Sequence, residues 1–344
     1  MIDNKLDMVR TGIVKRRARL ITVTMLLAAL ALLLASLMLL LGNTIYSPTT
    51  MIRVILGEQI KGASFAINTL RLPRMLTGLF VGIAFGIAGS TFQTLLHNPL
   101  ASPDIIGVTS GSSVAAVVCI LLFKISGSIV SVAAVISGLM VAALIYILSK
   151  GGSFSGGRLI LIGIGVQAML NAVISFILLK ANQYDVPGAL RWLSGSLNGM
   201  QMKNVPGLFV VVVIFGSVII MLGRHLKILE LGEQSAITLG LNADRIRLLL
   251  ILCSVFLIAF ATAVTGPIAF VAFLAGPIAG RLAGKGGSYV IPAGLVGAVL
   301  VLGADIIGQF AFDIRFPVGI ITGILGAPYL LYLLIRINRT GGAA

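Results

Sequence analysis

Long apolar runs almost free of charge, separated by short polar intervals, dominate the chain. Ten of them read as membrane helices: residues 20–42, 75–96, 105–123, 129–148, 159–179, 206–222, 248–264, 268–282, 289–310 and 318–335. A hydrocarbon core takes about 20 apolar residues per helix. The runs lack the period-two alternation of a membrane strand. The pattern predicts an all-α polytopic membrane protein with ten transmembrane helices. The eighth run is the shortest and carries Gly276, Pro277 and Gly280, so its ends are the least defined. The first run is too long for the apolar stretch of a signal peptide and has no cleavage site that stands out, so it reads as a retained span. The predicted organisation is a basic N-terminal segment 1–19, a transmembrane domain 20–336 and a tail 337–344.

Charge sets the orientation. Ten spans put both termini on one side, with sixteen Lys and Arg there and nine on the other. By the positive-inside rule the termini are cytoplasmic. The outward basic residues are Arg53, Lys61, Arg71, Arg74, Lys124, Lys180, Arg191, Lys203 and Arg315.

Composition agrees. Only 10% of the 344 residues are charged and 58% are hydrophobic, with mean hydropathy +1.11. One soluble core could not hide that much apolar surface. The formal charge of +15 suits anionic lipid at the membrane edges. No basic stripe interleaved with aromatics argues for nucleic acid. Cys119 and Cys253 lie in apolar runs and the histidines are His97 and His225, which leaves no zinc spacing.

Within the spans, Gly82-x-x-x-Gly86-x-x-Gly89 is a small-residue face for close helix packing. Three polar stretches go further. Arg71-Leu72-Pro73-Arg74 opens the second span on the outer side. Pro73 suits a first helical turn, and flanking arginines suit either carboxylate capture or interfacial anchoring. His97 to Asp104 makes a stiff two-proline turn on the inner side, with Ser102 placed to cap the next helix. It is either a tight loop or a closure of a pathway. Residues 229–242 form an inner loop that reads as a short helix ending at Gly240, with apolar Leu231, Ala236 and Leu239 on a wet segment. Such residues want a partner or lie against the bundle.

These stretches resemble the FecCD family, the membrane subunits of binding-protein-dependent ABC importers for ferric siderophores, haem and cobalamin. The resemblance rests on Arg71-Leu72-Pro73-Arg74, on Asn98-Pro99-Leu100-Ala101-x-Pro103-x-x-x-Gly107, and on Leu231-Gly232-Glu233 with Leu239-Gly240. Trp192-Leu193-x-Gly195-Ser196 and Pro317-Val318-Gly319 with Gly326-Ala327-Pro328 follow the same order, so the likeness runs from about residue 20 to 336. It implies a type II ABC importer permease bundle. It implies that Arg71 and Arg74 grip acidic residues of the substrate-binding protein, with Arg315 standing in for a cation the family carries elsewhere in that corner. It implies cytoplasmic gate loops at Asn98 and Leu100 and at Ser155, Gly156 and Gly157. It implies ATPase coupling through Leu231, Gly232, Glu233, Ala236, Leu239 and Gly240.

The chain departs from the family pattern where Ile278 follows Pro277 and where Gln309 stands in place of a basic residue after Ala304-Asp305. The nearest P-loop lookalike, residues 280–286, has Ala279 where the first glycine belongs and Gly286 where Ser or Thr must hold magnesium. The expectation is a transport subunit rather than an enzyme, with no cofactor of its own. ATP and Mg would sit on two partner ATPase subunits, beside a second permease subunit and an extracytoplasmic binding protein. Ferric siderophore is the expected cargo, with haem or cobalamin open. The competing class is an ion-coupled secondary carrier using the intramembrane Asp305.

Overall fold

The computed structural model describes residues 2–150, 155–284 and 288–341. Lys285 and Gly286 of the P-loop-like stretch lie outside the described residues. All ten apolar runs are helical: α1 (Ile2–Leu40), α3 (Leu72–Leu95), α4 (Val108–Val117), α5 (Ser128–Ser149), α6 (Gly156–Lys180), α8 (Val205–Met221), α11 (Ala243–Thr265), α12 (Val271–Ala283), α13 (Val290–Phe310) and α14 (Val318–Gly341). Shorter helices sit in the polar intervals: α2 (Pro48–Ile55), α7 (Val186–Leu193), α9 (Gly223–Glu230) and α10 (Glu233–Thr238). Among the described residues, seven helices are long and apolar enough to cross a membrane, and three apolar ones are shorter.

Two expected boundaries move. The eighth run starts as a helix only at Val271, after the non-helical segment 266–270. At about 1.5 Å per residue α12 cannot span a core alone. Irregular backbone at that depth is tolerated because it is covered by protein, and Gly266 and Ile268 are buried. The second span begins earlier than Pro73. A wide-turned π-helical stretch, Phe65–Arg71, runs directly into α3. Its looser hydrogen bonding accommodates a proline that has no N–H to give.

α3 is the centre of the bundle, packed against α13, α12, α11 and α8. Its glycines explain why. A Cβ at Gly82 or Gly86 would overlap the α13 backbone at Ala298 or Ala293, and one at Gly89 would overlap Ala272 of α12. The small face therefore seats two helices at backbone contact. The basic N-terminal segment continues α1 as helix. Arg19 donates from Nε to the Leu282 carbonyl at 2.9 Å and from Nη2 to the Arg281 carbonyl at 3.0 Å. A cation there satisfies the open carbonyls at the α12 C-terminus.

Candidate functional site

At the end of the bundle away from the termini, the arginines expected to face a partner also make hydrogen bonds within the chain. Arg74 makes a bidentate pair with Asp305, Nε to Oδ2 at 2.8 Å and Nη2 to Oδ1 at 2.7 Å. Its Nη1 donates to Asn198 Oδ1 at 2.6 Å, and Gln309 Nε2 donates to Asp305 Oδ2 at 2.7 Å. Asp305 is 1% exposed, so its charge is compensated by the Arg74 fork rather than by water. Arg71 donates from Nη1 to the carbonyls of Leu39 and Leu40, at 2.8 and 2.9 Å, and from Nη2 to Thr44 at 2.7 Å. Leu39 and Leu40 are the last residues of α1, whose carbonyls have no donor within the helix, and Thr44 follows it. Gly42 leaves room for the guanidinium, where a Cβ would overlap it. The Tyr46 ring lies 4.9 Å from Arg71 Cζ. Arg71 and Arg74, the two arginines expected to dock the binding protein, are both half-buried, and Arg74 also borders the outer cavity. Both guanidinium groups find acceptors within the protein, one a carboxylate distant in sequence on the packed helix α13 and the other a helix terminus.

Arg315 is exposed and gives one bond, Nη2 to Asn43 Oδ1 at 2.8 Å. It shares a cavity of about 510 Å³ with Arg74, Arg191, Leu197, Met200 and Pro317. Arg191, not singled out from the sequence beyond its outward position, is exposed on α7. It also borders a second cavity of about 360 Å³ with Trp192 and Lys203. The segment between these cavities is held by two motifs distant in sequence. Gly319 N donates to the Gly195 carbonyl at 3.1 Å, and Ser196 N to Thr265 at 2.7 Å. Gly195 stands at φ +65°, and a Cβ on it would overlap the Pro267 carbonyl. Only glycine satisfies both demands.

The other end gathers the two expected gate loops and the coupling segment. Asn98 Oδ1 accepts from Leu100 N at 2.9 Å, and Asn98 N donates to the Gln93 carbonyl at 3.0 Å, which fixes the turn after α3. Ser102 caps a single 3₁₀ turn rather than the next helix directly. Gly107, at φ +71°, then resets the chain before α4. Ser155 Oγ accepts from Arg158 N at the start of α6. A Cβ on Gly156 would stand 3.0 Å from Leu96 Cδ2, so the two loops touch. Residues 151–154 of the second loop lie outside the described residues. A cavity of about 300 Å³ joins Leu96, His97, Gly156, Gly157, Glu233 and Arg247. His97 Nε2 lies 3.2 Å from the Leu229 carbonyl, tying the first loop to α9.

In the coupling segment, Gly232 at φ +101° and Gly240 at φ +81° bracket α10. Leu231 and Leu239 are 67% and 62% exposed. Ala236 is 0% exposed and packs in the core. It seats α10 on the bundle. Ile237, 57% exposed, takes its place on the surface. Glu233 is bound to Arg247 Nη2 at 3.1 Å, and Arg247 also reaches Asp244 at 3.3 Å. This end thus presents an apolar trio on and flanking a short helix, anchored from behind by a buried alanine and an ion pair.

The sequence profile of the FecCD transport family matches residues 26–336. The chain is 34% identical over 322 residues to the ferric enterobactin transport system permease protein of Escherichia coli (strain K12), covering 93% of this chain and 98% of that one. It is 34% identical over 323 residues to an Fe(3+)-citrate import system permease protein of Bacillus subtilis (strain 168), covering 93% and 96%. A solved metal-chelate type ABC transporter in an inward-facing conformation superposes with TM-score 0.81 at 27% identity, covering 92% of this chain and 99% of that one.

Proposed function

The chain belongs to the FecCD transport family, and on that premise we propose that it is the membrane permease of an ATP-driven importer for a ferric chelate. The observation that carries the reading is the exposed trio Leu231, Ile237 and Leu239 on the loop between α8 and α11. That loop lies at the same end as Arg19 and the start of α1, the end the basic residues assign to the cytoplasm. Apolar side chains displayed toward water there fit a groove on a soluble partner. A separate ATPase is that partner, two copies serving two permease subunits, with ATP and Mg held there.

A second permease subunit, the same chain or a homologue, covers α6. Only 17% of the apolar window of α6 is buried, and Asn171 and Ser175 are exposed on it. An asparagine facing hydrocarbon is costly, so this face fits a partner helix or a water-lined pathway. At the outer end, Arg315 with Arg191 offers the binding protein exposed cations around a recess. The 97–100 and 155–157 turns form the cytoplasmic gate. The relatives' named cargoes are ferric enterobactin and ferric citrate, and a ferric siderophore is the cargo proposed here. Co-expression with a candidate ATPase tests the reading. The two chains should co-purify, and Leu239→Asp should separate them. Retention of the ATPase by Leu231→Asp/Leu239→Asp would refute it.

A further inference from the structure

α12 carries Pro277 in its interior. In a regular α-helix the N–H of residue 277 would bond the carbonyl of residue 273. Proline has no such hydrogen, and its ring crowds that carbonyl. The missing donor comes from another helix. Gln93 of α3 donates from Nε2 to the Phe273 carbonyl at 2.9 Å, in a buried setting. Gly276 permits the approach, because a Cβ there would overlap the Gln93 amide oxygen.

The same residue reaches the gate turn. The Gln93 carbonyl accepts from Asn98 N at 3.0 Å. Leu100 packs against the cluster of Phe273, Leu274 and Leu333, on the α12 turn that Gln93 bonds. Beside them lies a cavity of about 700 Å³, bordered by Gln93, Asn98, Gly276, Pro277 and Gly280. A backbone rung breaks only when the helix unwinds. A side-chain rung is released by rotation about its own torsions, and the cavity gives the C-terminal half of α12 somewhere to go.

We propose that Gln93 is a positioning residue for the cytoplasmic gate, closing a hinge at Pro277 that holds the 278–283 half of α12 in register with the 97–100 turn. The inference rests on the gate assignment above. Release of the Gln93 bond lets that half of α12 and the turn move together.

The test is a double-variant cycle in the assembled transporter, reconstituted with its second permease subunit, ATPase and binding protein. Two quantities are read: the unfolding midpoint of the complex, and ATP-driven uptake of the ferric chelate. Gln93→Leu should lower the midpoint and cut uptake about five- to tenfold, the worth of one net hydrogen bond. Pro277→Ala restores a backbone donor for the Phe273 carbonyl. It should therefore remove most of the midpoint loss caused by Gln93→Leu, a coupling of non-additive sign. Uptake should stay low in Pro277→Ala and in the double variant, because a continuous helix ladder does not open.

Additive midpoint losses would overturn the hydrogen-bond assignment. Recovery of uptake together with the midpoint would overturn the hinge, since a merely structural glutamine behaves that way. If Gln93→Leu fails to accumulate, Pro277→Ala alone decides, and parental uptake by that variant overturns the proposal. The midpoint cycle needs no transport, so failure of the parent complex to take up the chelate would count against the importer reading alone.

Discussion

Arg74 and Asp305, 231 residues apart in sequence, meet as a two-bond ion pair between the start of α3 and the outer part of α13. The pair joins the two helices whose glycine faces already hold their backbones in contact. It also answers why an aspartate sits in an apolar helix. Asp305 compensates a fixed cation and takes a third bond from Gln309, leaving it little freedom to shuttle an ion. The ion-coupled carrier reading loses its main support.

Breaking one half of this pair should cost far more than removing both. Asp305→Ala leaves a part-buried guanidinium without its carboxylate, a loss of about 3–5 kcal/mol. Replacing both with apolar residues of similar volume should recover most of it. Thermal unfolding of the purified permease measures the difference. Equal losses for the single and double replacements would mean the pair is not a coupled unit.

The outer arginines should divide into two classes. Arg71→Glu and Arg74→Glu should reduce the amount of folded protein, because each opposes acceptors already in place. Arg191→Glu with Arg315→Glu should leave folding intact and weaken docking of the binding protein about tenfold, less at high salt. Binding titrations at two ionic strengths check this. Unchanged docking by the second pair would move the docking surface elsewhere, with Lys61 and Lys203 the next cations to probe.

The coupling segment should show the same division by burial. Leu239→Asp or Ile237→Asp changes an exposed side chain and should uncouple ATP hydrolysis from uptake with a stability change within about 0.5 kcal/mol. Ala236→Phe pushes bulk into a filled core and should destabilise by about 1–3 kcal/mol. Denaturation and ATPase assays on the same preparations separate the two outcomes. A destabilised Leu239→Asp protein would place that side chain in the core after all.

Topology is open to chemical labelling. Ser47 and Ser235 are exposed at opposite ends, while Cys119 and Cys253 are buried, so the background should be low. Ser47→Cys should react with an impermeant thiol reagent from outside and Ser235→Cys only from inside. The reverse pattern would invert the orientation.

The ten apolar helices were legible because each overlaps an apolar run, although the run alone did not show that the eighth starts as helix only at Val271. Helices α2 and α7 were not, since eight residues in a polar interval carry too little periodicity to register. The apolar residues of the coupling loop were visible, but the inward turn of Ala236 and the outward turn of Ile237 depend on how α10 is seated. The partner of Arg74 was beyond reach in principle. Its pairing with Asp305 follows from the register of α3 on α13, which the glycine faces fix only in three dimensions. Gln93 was hidden for the same reason. Pro277 announces a missing donor, but only helix packing shows which side chain supplies it.

Uptake into liposomes containing the permease distinguishes an importer driven by a partner ATPase from a carrier driven by an ion gradient. Radiolabelled ferric chelate should enter only when binding protein, ATPase and ATP are all present, and dissipating proton and sodium gradients should leave the rate unchanged. Uptake by the permease alone, driven by an ion gradient and abolished when Asp305 is neutralised, would contradict the importer reading.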